Sequence, residues 1–341
     1  MRQRIISLFD NYYAQLENNH LHRVLSAVFL FDFLDRLRLT GFPKNWADTL
    51  DQELAQLQST CLFLSHSFEN SLNSFDPWDD NLTPADLQKQ TGEVYFNLWK
   101  NFTKNEYFSQ AANILQERLT KNSISLAGVA HALDDGCGGG RYSLALKKLG
   151  CAKVTGVDVS PNSINFARSM NPFKRDEVAF VNASVLDLPF NNEYFDFVFS
   201  NGVLHHTYDT EQGLKEIFRV LKKKGRCWLY LYGGKDSFFW DVVDCCRKML
   251  SIVPQAYTQS VMKMMGYPPG RIFHRSDFFY VPINNRYFQS EVDAMLTNIG
   301  FTNFKRCRRG AEHDWDEIIF QNPSMDNYIY GEGEMRYMVN K

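Results

Sequence analysis

The stretch Asp134-Asp135-Gly136-Cys137-Gly138-Gly139-Gly140 constrains this chain more than any other, because four glycines in seven residues mark a backbone that turns tightly and must stay clear of Cβ atoms. It follows the apolar run His131–Asp134 and precedes an amphipathic segment starting at Arg141. The pattern predicts a turn between a strand and a helix, with amide N–H groups at the helix N-terminus, where a carboxylate or phosphate is favoured. A dinucleotide fingerprint needs G-x-G-x-x-G. Counting from Gly136 puts Arg141 at the third glycine, and counting from Gly138 fails likewise, which argues against a nicotinamide cofactor.

From His131 to Tyr232 short apolar runs alternate with amphipathic segments, the mark of βαβ units and a parallel sheet. Strands are predicted over His131–Asp134, Lys153–Val157, Val178–Val181, Phe195–Ser200 and Cys227–Tyr232. Ser160-Pro161 supplies an N-cap with proline at the first helical position, and Asp209 with Gln212 resembles a capping box. Upstream, Ile5 to about Phe75 reads as helical, with Leu21, Val24, Leu25 and Val28 on one face. A linker is predicted over Asn73–Pro84, and an aromatic-rich helix over Glu93–Leu119. Beyond Tyr232 come a helical, methionine-bearing segment, an amphipathic helix over Ser290–Ile299, and strand-like pieces at Phe304–Arg308 and Met335–Val339. The expected organisation is an all-helical cap over 1–85 and an α/β domain over 86–341, with a helical lid inserted at about 236–285.

Charge and cysteine usage narrow the classes. With 37 Lys+Arg against 39 Asp+Glu, and basic runs only at Lys222–Lys224 with Arg226 and at Arg306, Arg308 and Arg309, nothing demands nucleic acid. Seven scattered cysteines with no C-x-x-C pair predict reduced thiols, no metal site and a cytoplasmic protein. Met1–Ile5 lacks a secretory pattern, and the apolar stretch Leu25–Leu37 is too short and too charged to span a bilayer.

The glycine turn, read as D-x-G-x-G-x-G, resembles motif I of the class I, Rossmann-like S-adenosylmethionine-dependent methyltransferases. Further stretches match in order. Asp158 closes Val154-Thr155-Gly156-Val157-Asp158, and Asn182–Phe190 resembles the family's adenine loop. Phe195-Asp196-Phe197-Val198, Val203-Leu204-His205-His206 and Arg219–Lys222 resemble its fourth strand and the helix after it. The resemblance covers Leu133 to Arg226, about a third of the chain, and implies a mostly parallel seven-stranded sheet.

It also implies roles. Asp134, Gly136, Cys137, Gly138 and Gly140 bind S-adenosyl-L-methionine, Gly136 and Gly138 facing its methionine part, and Asp158 holds the ribose. Val159 packs on adenine, Ser184 and Val185 flank its amino edge, and Asn201 with Gly202 line the methionine side. Tyr95, Trp99, Phe102 and Tyr107 resemble the aromatic segment that covers the cofactor in related small-molecule methyltransferases, although at helical spacing such residues also build cores. Two positions depart from the family: Asp135 stands where an apolar residue is usual, and Ser184 where aspartate is frequent.

Methyl transfer from a sulfonium is an in-line displacement that needs positioning and exclusion of water, not a protein nucleophile. A general base helps when the acceptor carries a proton, and His205 and His206, just after the fourth strand, are the candidates. Tyr280, Arg275, Arg286 and Tyr287 are candidates to grip an acidic or aromatic acceptor, a solvated face being the plain alternative. The expected function is O- or N-methylation of a small molecule, with S-adenosyl-L-homocysteine as product. An RNA or protein methyltransferase, or a catalytically silent cofactor-binding scaffold, stays open, and oligomeric state is not readable from the sequence.

Overall fold

A computed structural model describes residues 2–16, 19–40, 46–66, 83–99 and 104–341. The N-terminal part is helical, with α1 (Arg2–Ala14), α2 (His20–Thr40), α3 (Trp46–His66), α4 (Pro84–Trp99) and α5 (Lys104–Lys121). There follow β1 (His131–Asp135), α6 (Arg141–Lys148), β2 (Lys153–Asp158), α7 (Pro161–Met170), β3 (Val178–Asn182) and β4 (Phe195–Asn201). A 3-10 turn at Leu204–His206 leads to α8 (Thr210–Val220) and β5 (Leu221–Leu231). The rest comprises α9 (Phe238–Leu250), α10 (Gln255–Met264), α11 (Pro269–Tyr280), α12 (Gln289–Ile299), β6 (Thr302–Arg306), α13 (Trp315–Gln321), α14 (Pro323–Tyr330) and β7 (Met335–Asn340). No helix among the described residues is long and apolar enough to cross a membrane. The linker expected over Asn73–Pro84 lies, apart from its last two residues, outside the described residues.

Two compact units emerge. The first joins Met1–Asn81, Asp236–Tyr280 and Ser324–Gly331. Its described elements are helices, and the segment following β5 packs with the N-terminal ones. Phe31 of α2 meets Phe239 of α9 edge-on at 5.7 Å and Phe279 of α11 at 5.6 Å. Arg275 of α11 is 2% exposed, donates to Asp32 and lies near Asp35, with the rings of Tyr267 and Phe31 within 4.4 and 5.6 Å of its guanidinium carbon. A buried charge persists only when paired in this way.

The second unit, Leu82–Lys235, Val281–Pro323 and Glu332–Lys341, carries the sheet. Strand order is β3-β2-β1-β4-β5-β7-β6, with β7 antiparallel to both neighbours and the first five strands parallel. The seven-stranded, mostly parallel sheet is the one the family resemblance implies. Strands covered on both faces must be apolar throughout, and Phe195, Phe197, Val198 and Phe199 of β4 are fully buried. Asp209 caps α8 by accepting from the Gln212 amide at 2.9 Å, which turns Leu214, Ile217 and Val220 onto the sheet.

β5 begins six residues earlier than the apolar pattern indicates. Leu221 pairs with Phe195, then the register shifts to Arg226 opposite Phe197, and Lys224 takes φ 64 in between. Three lysines in a strand hide it from a reading based on apolar alternation.

Beside β7 lies a buried charge network. Arg118 grips Asp314 with two bonds of 2.7 and 2.6 Å, Arg336 reaches Asp314 at 3.1 Å and binds Glu334, and Arg306 reaches Asp316 at 3.2 Å. Consecutive connections run outward in opposite directions from β1 and β4. Open α/β sheets bind ligands at that switch point, beyond the carboxyl ends of the strands.

Candidate functional site

β1 ends at Asp135, and the chain turns through Gly136, Gly138 and Gly140 at φ +74, +52 and +83. A Cβ at Gly136 would overlap the Val203 methyls, and one at Gly140 would overlap the Phe180 ring. The turn is tied down by the Cys137 amide donating to the Val157 carbonyl at 2.7 Å and the Gly140 amide donating to the Cys137 carbonyl at 2.9 Å. Gly136→Ala is expected to cost about 2–4 kcal/mol, combining left-handed strain with overpacking, as a lowered midpoint in urea unfolding. An unchanged midpoint would show that Val203 can yield.

Asp158, at the end of β2, meets this turn. Its Oδ2 accepts from the Gly138 amide at 2.8 Å and its Oδ1 from the Ser160 amide at 2.9 Å. Burial pushes its pKa up, against the pull of those two amides. A carboxylate oxygen has two lone pairs, so both oxygens retain capacity for further donors. Ser160 in turn caps α7 through its Oγ and the Ser163 amide. Asn182, at the end of β3, donates to the carbonyls of Asp158 and Val159, both at 2.9 Å, which holds the half-buried Val159 beside the acid. Ser184 accepts from the Leu186 amide at 3.1 Å, and Val185 is buried in the core.

Behind the turn stand two acids. Asp134 accepts from Ser143 Oγ at 2.5 Å, and burial first, with Asp158 adding to it against the Ser143 bond, pushes its carboxyl up to about 7. Asp135 faces the opposite side of the sheet, in register with Ser200 of β4. It is fully buried, neither oxygen finds a hydrogen-bonding partner among the described residues, and burial pushes its pKa up to about 8. The acid at the family's apolar position therefore behaves as a neutral carboxyl at neutral pH.

Across the switch point, Asn201 accepts from Trp228 Nε1 at 3.0 Å, and Gly202, at φ +81, donates its amide to the Tyr230 carbonyl at 3.2 Å. The histidine turn follows. His205 Nδ1 accepts from the Tyr232 amide at 3.1 Å while its ring stacks on Tyr232 at 3.8 Å. Accepting there fixes the proton on Nε2, and burial, with His206 adjacent, lowers the pKa well below the ordinary value. This ring is a neutral donor with no basic nitrogen left.

His206 has the opposite arrangement. Its Nδ1 lies 2.7 Å from the Ile283 carbonyl, and since a carbonyl only accepts, the proton sits on Nδ1 and the lone pair on Nε2. Asn285 braces the same turn, its amide donating to the His205 carbonyl at 2.9 Å and its side chain to the Thr207 carbonyl at 2.9 Å. The sequence offers both histidines as bases; the bonding leaves a basic nitrogen on His206.

Tyr95 of α4 comes within 5.6 Å of the His206 ring, edge-on. The same helix meets the start of α7, where Asn162 donates to Glu93 at 3.1 Å. The side chains of Trp99 and Tyr107, and all of Phe102, lie outside the described residues. Arg286 and Tyr287 belong to the sheet unit: Arg286 donates to Asn284 at 3.2 Å, and Tyr287 donates to Thr210 Oγ1 at 2.8 Å while its amide bonds the Tyr232 carbonyl. Arg275 and Tyr280 belong to the helical unit, Arg275 held by Asp32 and Tyr280 buried with its hydroxyl 2.5 Å from Thr258 Oγ1. No sequence motif singles out Tyr230, Tyr232 or Ile283; the alternation Trp228, Tyr230, Tyr232 is the available signal for the first two. Among the described residues no group of His, Cys, Asp or Glu could hold a metal ion, and all seven cysteines are buried free thiols.

Residues 133–229 match the family model described as "Methyltransferase domain". Among curated relatives, an O-methyltransferase, cnsE, of Penicillium expansum is 29% identical over 51% of this chain and 62% of its own length. The 27-O-demethylrifamycin SV methyltransferase of Amycolatopsis mediterranei is 28% identical over 42% of this chain and 57% of its own. The matches thus span little more than half the length of these relatives. Among solved structures, an S-adenosylmethionine dependent methyltransferase from Mesorhizobium loti superposes with a TM-score of 0.42 at 15% identity, covering 64% of this chain and 93% of that one. The stretch 133–229 that matches the methyltransferase domain model lies in the unit that also holds the glycine turn, the acid of β2 and the seven-stranded, Rossmann-like sheet.

Proposed function

We propose that the protein binds S-adenosyl-L-methionine in the cradle of Gly136, Gly138, Gly140 and Asp158 and methylates a hydroxyl of a small molecule, with His206 as the base. The observation that carries the reading is the 2.8 Å contact between the Gly138 amide and Asp158, which joins the glycine turn to the carboxylate at the tip of β2. The cradle fits the cofactor: Gly136 and Gly140 admit no Cβ, Gly138 takes a positive φ, and Asp158 retains acceptor capacity. When bound, the sulfonium supplies an activated methyl group.

The chain's own residues then have distinct tasks. Asp158 accepts ribose hydroxyls, Val159 and Val185 pack on adenine, Ser184 meets its amino edge, and Asn201 with Gly202 line the methionine side. Tyr95 excludes water beside His206, whose Nε2 takes the proton of the acceptor hydroxyl, while the Ile283 carbonyl steadies the ring by holding Nδ1–H. Names among the relatives that specify O-methylation support oxygen over nitrogen.

Titrating the protein with S-adenosyl-L-homocysteine in a calorimeter tests the first half; absence of heat would end the reading. For the second half, His206→Gln is expected to lower turnover by about 10²–10³ while leaving the affinity for that product within about twofold. A transfer assay over phenols, aliphatic alcohols, amines and tRNA reads out the rate, and turnover equal to the parent's would remove His206 from the chemistry.

A further inference from the structure

Building on the methyltransferase reading, we propose that the acceptor is a planar aromatic compound carrying a phenolic hydroxyl, held against the rings that surround His206. Two separate observations lead there, one of shape and one of chemistry.

The first is the enclosure. His206 meets Tyr95 edge-on at 5.6 Å, Tyr232 edge-on at 5.1 Å and His205 at 4.2 Å. Tyr230 continues the wall at 5.8 Å from His205 and 6.1 Å from Tyr232. Tyr95 and Tyr230 are only partly buried, Tyr230 with the Arg336 guanidinium over its ring at 4.5 Å. Offset and edge-to-face contacts between rings add to simple area burial, and a flat acceptor collects several at once where a saturated ring collects none. The charges agree. Glu334, the carboxylate at Tyr230, is occupied by buried Arg336 and by the Trp315 amide at 2.9 Å, so it has no charge to spare for an ammonium acceptor.

The second is the base. An imidazole nitrogen has to remove a proton bound at about pKa 10 from a phenol, but at about 16 from a saturated alcohol, taking water as the guide. Only the first gap is within easy reach of a histidine. In the transfer the phenolic oxygen forms the new bond to the methyl carbon, the carbon–sulfur bond breaks with its electron pair going to sulfur, and the phenolic proton passes to His206 Nε2 and on to solvent. The products are the aryl methyl ether, S-adenosyl-L-homocysteine and one proton.

The test pairs flat and saturated probes. The protein is loaded with S-adenosyl-L-homocysteine, the loading being verified by calorimetry, and equilibrium dialysis then measures 2-naphthol against decahydro-2-naphthol and phenol against cyclohexanol. With labelled S-adenosyl-L-methionine in its place, methyl transfer to each probe is counted. The expected result is aromatic probes binding at least about tenfold tighter than their saturated partners, with label appearing on the aromatic oxygen. Loading followed by equal or reversed preference, or by no binding of either kind, overturns this inference and leaves the methyltransferase reading standing. Failure to load overturns both.

Discussion

The thermal midpoint of the sheet unit is expected to fall by about 5–10 °C as pH rises from 6.5 to 8.0, and Asp135→Asn to remove about half of that fall. Burial raises the carboxyls of Asp135 to about 8 and of Asp134 and Asp316 to about 7 in the folded protein. In the unfolded chain all three ionise near pH 4. A folded state that holds more protons than the unfolded one loses stability as pH rises, until each folded pKa is passed. Between pH 6.5 and 8.0, Asp135 accounts for about 1.6 kcal/mol and the other two for about 0.8 kcal/mol each, roughly 3 kcal/mol together.

Two other sets of groups titrate partly within this window and nearly offset one another. His131, held down to about 4 by burial, and His205 act in the opposite sense: the unfolded imidazoles are half-protonated at pH 6.5 and lose those protons by pH 8.0, which returns about 0.8 kcal/mol for the two together. The buried thiols of this unit, Cys137, Cys151, Cys227 and Cys307, stay protonated while the unfolded thiols begin to ionise, which removes about 0.6 kcal/mol together by pH 8.0 and more towards pH 9. Asparagine keeps the shape of Asp135 and stays neutral throughout, so the variant separates charge from packing. A parent midpoint that is flat or rises over the window, or a variant with the parent's slope, would contradict a neutral carboxyl at Asp135.

How much of this was legible in the sequence depends on how locally each feature is encoded. The glycine turn, Asp158 and the histidine pair sit within a few residues of a strand end, and period and turn chemistry place them. Asp135 stood out as an exception to an apolar position, but its neutral state follows from the strands and helix packed over it, which no local pattern contains. The different hydrogen bonding of His205 and His206 turns on the Tyr232 amide and the Ile283 carbonyl, 27 and 77 residues away. Arg275 illustrates the same limit. In the sequence it is an arginine in an aromatic helix and a fair candidate for an acidic ligand, whereas Asp32, 243 positions earlier, already neutralises it. The strand start at Leu221 was hidden for a different reason, since lysines obscured the alternation on which strand prediction relies.

Asp158→Ala is expected to weaken S-adenosyl-L-homocysteine binding by about two to four orders of magnitude, the largest functional effect of any single change in this site. Each hydrogen bond between a ribose hydroxyl and a carboxylate is worth about 1.5–3 kcal/mol, and an acid with a lone pair left on both oxygens can take two. The alanine also strips the Gly138 and Ser160 amides of their acceptor, so the turn loses the contact that holds it against β2. Asp158→Asn separates these contributions. Its carbonyl oxygen can still serve one amide, but its NH₂ group opposes the second, and it has no charge to strengthen bonds to ribose. An intermediate loss of about tenfold to a hundredfold is therefore expected for asparagine, measured by calorimetric titration alongside thermal unfolding to confirm that both variants are folded. Folded variants with the parent's affinity would mean that the ribose is held elsewhere, and the cradle at the tip of β2 would have to be reassigned.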